Sequence, residues 1–369
     1  MTSGPSRAMP RDDASRPRAR VAPGRVRLLG IGLALPGEPV STATLCAQLS
    51  ARFGVPAERV GRRLGARLQV DARHLCRGFD SAIETPRPGQ RNPELAAAAL
   101  SQALANACVR PTDLGYLLTH TATPARALPG GSAEVAARAG VRCAHAEFRQ
   151  ACTGFASALQ FAFALLREPG ARPVAIVGSE TGSVFFDPRR LAHEPAQWIN
   201  LLQMGDGAAA VVLGPDDGSG GPAIDSAYFG QLPDAPPAGL SLAGGGSDCP
   251  APGPGAIHFE HDYEAVARHG VALFEAGRDT LQARGHALAT AACVVPHQAS
   301  GGVADWFAEH FGVRRARVGD HGCRVGNLGS ASIWAALNDV FPALVPGERA
   351  LFLGAEATQY SFGGFALTR

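Results

Sequence analysis

Three short segments carry side chains suited to covalent chemistry. In FRQACTGFASALQFAFALL, Cys152 stands just ahead of a segment whose apolar residues Phe155, Leu159, Phe163 and Leu166 recur at helical spacing, which puts its sulfur at a helix N-terminus. Unpaired N–H groups and the positive dipole end there favour a thiolate and lower the pKa of a thiol, so such a sulfur is a nucleophile. A buried structural cysteine is the commoner fate of any one such residue. Gly154, which admits close backbone approach beside the sulfur, weighs toward function. In CVVPHQAS, Pro296 ends an apolar strand so that His297 faces a loop space. Taken alone, a strand-end histidine is more often a hydrogen-bonded structural residue. In CRVGNLGSASIWAAL, Asn327 lies between glycines in a tight loop that enters a helix. Such a loop is ordinarily just a turn, since Asn tolerates left-handed backbone.

The scaffold for these residues must be large. The 369 residues, 46% hydrophobic and 18% charged, suit two to three ordinary domains or one duplicated unit with a substantial core. All 34 cationic residues are arginine. Without lysine there is no Schiff-base nucleophile and no standard phosphate-loop lysine. A net charge of +2 gives no polyanion-binding field, so no nucleic-acid partner is expected. No run of 18 uncharged apolar residues suggests a membrane span. The eight cysteines form no C-x-x-C pair, a pattern of reduced cytoplasmic thiols. His120, His145 and His321 show no metal-ligand spacing, and neither a metal nor another cofactor is expected.

Residues 1–26, rich in Arg, Pro, Ser and Ala, read as a disordered tail. Residues 27–215 then alternate strands (Arg27 to Leu33, Tyr116 to Thr121, Ala175 to Val177, Ala208 to Leu213) with helices (Glu94 to Cys108, Ser132 to Ala139, Thr153 to Arg167). Continuous apolar runs of this kind imply a largely parallel sheet covered by helices. Between Asp216 and Gly255 the composition shifts to Gly, Pro, Ser and Asp, which marks a seam with one or two strands and long loops. Residues 216–369 restart the alternation: a helix from Tyr263 to Arg284, a strand from Ala291 to Val295, helices from Gly302 to Phe311 and Ser330 to Val340, and closing strands at Ala350 to Gly354 and Phe365 to Thr368. The class is α/β, and two halves of comparable size suggest duplication.

Together, Cys152-Thr153-Gly154-Phe155, Pro296-His297-Gln298 and Gly326-Asn327 followed by Ser330-Ala331-Ser332 resemble the ketoacyl synthase III family of thiolase-fold condensing enzymes. Met204-Gly205-Asp206-Gly207, Gly178-Ser179-Glu180, Thr121-Ala122-Thr123-Pro124 and Phe362-Gly363-Gly364-Phe365 extend the resemblance over residues 26 to 369. It implies a thiolase-like, five-layered αβαβα homodimer with Leu128 near the subunit boundary. It also implies an acyltransferase activity in which Cys152 takes an acyl group from a coenzyme A or acyl-carrier-protein thioester. Decarboxylation of a malonyl-type extender then makes an enolate, to whose oxygen His297 and Asn327 donate. Two neutral donors suit that task, because a carboxylate would repel the enolate.

Departures from the family pattern bear on the substrate. The segment PAERVGRRLGARLQVDARHL has no tryptophan to stack on an adenine, and the glycine triplet beside the acyl pocket is replaced by Ala357-Thr358-Gln359. The stretch from Thr181 to Leu202 is also longer than usual. Thr358 and Gln359 offer a hydroxyl and an amide to a polar acyl group or acceptor, which favours a specialised lipid or secondary-metabolite pathway. Leu128, Met204 and Phe185 are further candidates for substrate binding, and Arg189, with Arg190, for contact with phosphates of coenzyme A or a carrier protein. Phe185, Phe186 and Trp198 are candidates to line an acyl pocket, though aromatic residues at such spacing are more commonly core; paired arginines are more commonly solvated, and Asp206 between glycines reads as a turn residue. Two rival functions stand beside condensation: a thiolase-fold acyltransferase that forms an ester or amide without decarboxylation, and a non-catalytic partner subunit.

Overall fold

Apolar runs without polar alternation, such as VAIVGSE and GAAAVVLGP, are buried along nearly their whole length and form the middle of one mixed sheet. The computed structural model describes residues 17–81, 85–194, 196–233, 237–247 and 257–369. In chain order these form β1 (Arg18–Val21), β2 (Arg25–Ala34), β3 (Val40–Ser41), α1 (Thr42–Phe53), α2 (Ala57–Leu68), β4 (Ala72–Arg73), α3 (Asn92–Asn106), β5 (Tyr116–His120), α4 (Gly131–Ala139), β6 (Ala144–Phe148), α5 (Gly154–Leu166), β7 (Val174–Glu180), α6 (Ala196–Gln203) and β8 (Gly207–Pro215). There follow β9 (Ala223–Gln231), β10 (Leu240–Ala243), β11 (His258–His261), α7 (Tyr263–Ala283), β12 (Cys293–Pro296), α8 (Gly302–Phe311), α9 (Gly322–Val325), α10 (Ser332–Val340), β13 (Arg349–Glu356) and β14 (Ser361–Thr368).

The sheet order is β12-β13-β14-β9-β2-β8-β7-β5-β6. Duplication is plain in it. Numbering β2, β5, β6, β7 and β8 as the first to fifth strands of one unit, their order in space is third, second, fourth, fifth, first. Strands β9, β12, β13 and β14 repeat that order, with the third place reduced to one parallel bridge between Val294 and Val318. Parallel and antiparallel pairings correspond as well: β5 with β7 and β12 with β13 are parallel, β7 with β8 and β13 with β14 antiparallel.

Five layers follow from the pleat. Along β8, Ala208, Ala210 and Val212 face a core shared with α3 and α4, while Ala209, Val211 and Leu213 face the opposite core. That second core holds α5 and α10 between the two units, and a third, under α7 and α8, covers the far face of the second unit. Helices α1, α2 and α6 build a separate cap around Leu45, Leu49, Trp198 and Phe259. Among the described residues no helix is long and apolar enough to cross a membrane.

Three expectations need correction. The sheet is mixed and not largely parallel: only β5 with β6, β5 with β7 and β12 with β13 pair parallel among its named strands, and its other pairings are antiparallel. The chain is ordered well before residue 26: β1 and the start of β2 run one after the other along β9, pairing Val21 with Tyr228 and Arg25 with Asp225. Backbone pairing outweighs the arginine and proline content there; residues 1–16 lie outside the described part. The seam from Asp216 to Gly255 holds two strands, β9 and β10, within the expected number, but β9 is core and not merely seam: it joins the units, bonded to β14, β2 and β1. Cys249, within 248–256, also lies outside the described residues.

Candidate active site

Cys152 immediately precedes the Thr153 N-cap of α5, whose Phe155, Leu159 and Phe163 are buried between the units as their spacing requires. Gly154 is there for a steric reason: a Cβ at this position would lie 2.5 Å from Nδ1 of buried His120, at the end of β5. The second unit fastens the same loop. The Glu356 carboxylate, at the end of β13, accepts from the Thr153 N–H and from the Thr153 hydroxyl, each at 2.7 Å. It also accepts from the Thr358 hydroxyl.

His297 follows β12, and its N–H donates to the Leu353 carbonyl of β13 at 2.7 Å. Its neighbour Gln298 explains the rest of the motif. The Gln298 Oε1 accepts from the N–H groups of His321 and Gly322 at 3.1 and 2.7 Å, and its amide donates to the Gly319 carbonyl, so it ties the strand end to the loop before α9. Asn327 is held by backbone on both sides: its N–H donates to Gln203 and its carbonyl accepts from Gly205. Gly326 has φ +72, and a Cβ there would lie 2.7 Å from the Gln203 carbonyl, so glycine is needed before the asparagine. The Asn327 Oδ1 accepts from the Gly329 N–H at 2.9 Å and the Ser332 hydroxyl at 3.3 Å. With Oδ1 occupied, the amide presents Nδ2 as its free group.

Cys152, His297 and Asn327 line one cavity of about 320 Å³, with Gln203, His261 and Glu356 in its wall. A smaller apolar space of about 60 Å³ opens from Cys152 between Leu240, Leu242 and Phe259. The electrostatics correct one expectation. Burial pushes the Cys152 thiol well above its ordinary pKa, and the Glu356 and Glu180 carboxylates push the same way. These effects oppose the helix terminus, so the resting group is a thiol and not the thiolate expected from its position. His297 is pushed down to about 3 by burial, with His321 adding to the effect, and is a neutral imidazole.

Known proteins are similar to this chain over most of its length. The 3-oxoacyl-[acyl-carrier-protein] synthase III model matches residues 146–230, and its C-terminal counterpart matches residues 281–368. A 3-oxopimeloyl-[acyl-carrier-protein] synthase of Rhodothermus marinus is 31% identical over 351 residues, covering 92% of this chain and 93% of that protein. The chain belongs to the synthase III family. A beta-ketoacyl-[acyl-carrier-protein] synthase III of Rhodospirillum rubrum is 30% identical, over 84% of this chain and 88% of the relative. Among solved structures, the tetronic acid condensing enzyme AbyA1 superposes with a TM-score of 0.81 at 27% identity, over 93% of this chain and all of that one (100%). As a synthase III family member the chain is a thiolase-fold condensing enzyme.

The other sequence candidates divide. Met204 and Thr358 line the small space beside Cys152. Phe185 lines a broader cavity of about 860 Å³ that meets the small one at Ala122, Thr123 and Leu242. Gln359 lines a shallow side pocket, and its Oε1 accepts from Gln231 at 3.4 Å. Leu128 does not reach the cavities of its own chain; it is 86% exposed at the tip of its loop. Arg189 is drawn aside by Asp187 at 2.7 Å and Arg190 by Glu194 at 2.8 Å, and neither lines a cavity described above. Phe186 and Trp198 belong to the cap core. The Ala357-Thr358-Gln359 replacement costs no unusual backbone, because the left-handed residue of this turn is Tyr360, at φ 45.

Two readings missed what this synthase III site contains. Asp206 is no turn residue: it is buried and accepts from the Cys76 and Ser183 N–H groups at 2.8 and 3.1 Å, pinning the start of β8 to the cap. Glu356 went unremarked, although an acid ending the apolar run ALFLGAE is itself a signal, since a carboxylate is seldom buried without a partner.

Proposed function

We propose that Cys152 accepts an acyl group from a thioester and condenses it with a malonyl-type extender by decarboxylative Claisen condensation. The oxygen of the enolate formed on decarboxylation takes hydrogen bonds from His297 and from the Asn327 Nδ2. The observation that supports this most is the convergence of the three groups on one cavity, with the Asn327 Oδ1 already occupied and His297 neutral. Neutral donors preorganised at the developing oxyanion lower the barrier without trapping a ground-state charge. That same convergence speaks against a non-catalytic partner subunit.

Donors are coenzyme A or acyl-carrier-protein thioesters in this reading, and a functionalised acyl group is favoured over acetyl. The polar Thr358 at the small space and the resemblance to a 3-oxopimeloyl-forming relative support that preference. The reading includes a homodimer, because Leu128 would otherwise leave an apolar tip in water. It also includes a cytoplasmic location, in keeping with the seven free cysteines among the described residues.

Transfer without decarboxylation has one specific observation in its favour: two carboxylates, Glu356 and Glu180, act on the nucleophile's surroundings. Carbon dioxide release separates the two readings. The purified chain is incubated with an acyl thioester and carboxyl-labelled malonyl thioester, and condensation releases the label in step with product. With an alcohol or amine acceptor also present, acyl ester or amide formed while the malonyl thioester keeps its label would establish the alternative.

A further inference from the structure

The cavity that holds Cys152 carries a second imidazole besides His297. His261 ends β11 and pairs across a two-stranded sheet with Leu240, which lines both spaces that open on Cys152. Side chains opposite one another on an antiparallel pair share a face, so the imidazole stands beside Leu240 on the cavity wall. Its ring is held from two sides. It packs on the Tyr263 ring with centroids 3.6 Å apart, and its Nδ1 lies 2.7 Å from the Asn200 Oδ1. Asn200 is fully buried on α6, one turn before Gln203, whose carbonyl holds the Asn327 N–H.

The hydrogen bonds around Asn200 decide which nitrogen of His261 carries the proton. The Gln197 amide nitrogen donates to the Phe259 carbonyl at 2.7 Å and to the Glu194 carboxylate at 3.1 Å. Its Oε1 therefore faces Asn200 and accepts from the Asn200 Nδ2 at 3.5 Å, which leaves the Asn200 Oδ1 for Tyr263 and His261. An amide oxygen only accepts, so the His261 Nδ1 is the donor and Nε2 keeps its lone pair. Burial pushes the ring down to about 4, so at neutral pH it is an uncharged acceptor. Among the described residues none hydrogen-bonds to Nε2. Much of the remaining wall is apolar, with Val266, Val271, Phe274 and Trp306.

We propose that His261 is a specificity-determining residue, whose Nε2 accepts a hydrogen bond from an N–H or O–H of the thioester that enters this cavity. The inference rests on that thioester being the acyl donor to Cys152. Two parts of such a molecule carry donors: an amide in the arm beyond the sulfur, and a hydroxyl on the acyl chain. A thioester without a donor at this place desolvates the lone pair and returns nothing, so the site discriminates against it. His297 donates in the proposed condensation, so the two imidazoles recognise opposite partners.

The test measures the rate of Cys152 acylation, by intact mass of the full chain, for two pairs of thioesters. 3-Hydroxybutyryl and butyryl coenzyme A differ by one acyl hydroxyl. The butyryl thioesters of N-acetylcysteamine and of 2-mercaptoethyl acetate differ by one N–H in the arm. The wild type should prefer the donor-bearing member of at least one pair by about tenfold, and the pair that shows the preference identifies the part His261 holds. His261→Asn keeps an N–H for Asn200 and has no counterpart of Nε2, so the preference should disappear. It should disappear in His261→Leu as well and persist in His261→Gln, whose Oε1 replaces the lost acceptor. Each preference is a ratio within one protein, so a partly folded variant still reports it. No preference in either wild-type pair, or one that His261→Asn and His261→Leu retain while slowing all four thioesters alike, would overturn the assignment. A wild type acylated by none of the four would instead count against Cys152 as the acyl acceptor.

Discussion

Replacing Cys152 by alanine removes a sulfur and little volume, so Cys152→Ala should fold normally and take no acyl group. Circular dichroism and intact mass check the two halves of that expectation. The donors are better separated by Asn327→Asp than by alanine, because Asp keeps the acceptor for the Gly329 N–H and the Ser332 hydroxyl while losing the Nδ2 donor. Loss of one preorganised donor costs about 3 kcal/mol of barrier, roughly a hundredfold in rate. Asn327→Asp should therefore slow malonyl decarboxylation at least that much and still load Cys152. Equal losses in both steps would assign Asn327 to loading instead. Singly, Cys152, His297 and Asn327 read as structural residues; it is as an ordered set resembling the family that the sequence singles them out, and the structure adds that the three line one cavity. Their protonation was not readable. Burial chiefly, and then Glu356 and Glu180, push the thiol up, and all three depend on residues distant from Cys152 in sequence.

Helix α5 begins just after Cys152, the proposed nucleophile, and its first residue is packed tightly against His120. Gly154→Ala would place a methyl 2.5 Å from the His120 ring, which is buried and has little room to retreat. Overpacking of this kind typically costs about 1–3 kcal/mol. A fall in melting temperature together with slower loading is expected; an alanine variant as stable and active as the wild type would show that the ring moves freely. Helix α5 was legible because its apolar residues recur at helical spacing around an interior position. Strand β6 was not, since AHAEF is a short, half-exposed edge strand whose apolar face, Ala144, Ala146 and Phe148, is mostly alanine. Nor was the central place of β9, whose apolar residues are embedded in a Gly- and Pro-rich stretch and whose position is set by partners on β2 and β14. Local composition describes the loops around such a strand better than the strand itself.

At the scale of the molecule, buried histidines couple stability to pH, and three of them are shifted furthest. His120 and His297 are pushed down to about 3 and His321 to about 4, each chiefly by burial, from an ordinary 6.5. Each binds a proton more readily unfolded than folded, so stability is full above 6.5 and falls as pH drops from there toward 3 or 4. The loss is about 2 kcal/mol per histidine by pH 5. Buried Glu180 and Asp206, whose pKa values burial raises, act in the opposite sense and soften the decline. Denaturant midpoints should still fall between pH 7 and pH 5, and a flat profile would contradict the burial of neutral histidines. Assembly is a second expectation at this scale. Leu128 and Phe161, 86% and 54% exposed, with Phe161 packed on Phe148 of edge strand β6, offer apolar surface to a second copy. Light scattering at micromolar concentration should give a dimer, and Leu128→Asp should weaken it. The central claim, that this fold delivers an acyl group to Cys152, is tested most directly by mass spectrometry of the intact chain after incubation with a panel of acyl thioesters, followed by peptide mapping. The account predicts one acyl adduct, on the peptide carrying Cys152, and none in Cys152→Ala; an adduct on Cys143 or Cys323, or none with any thioester, would contradict it.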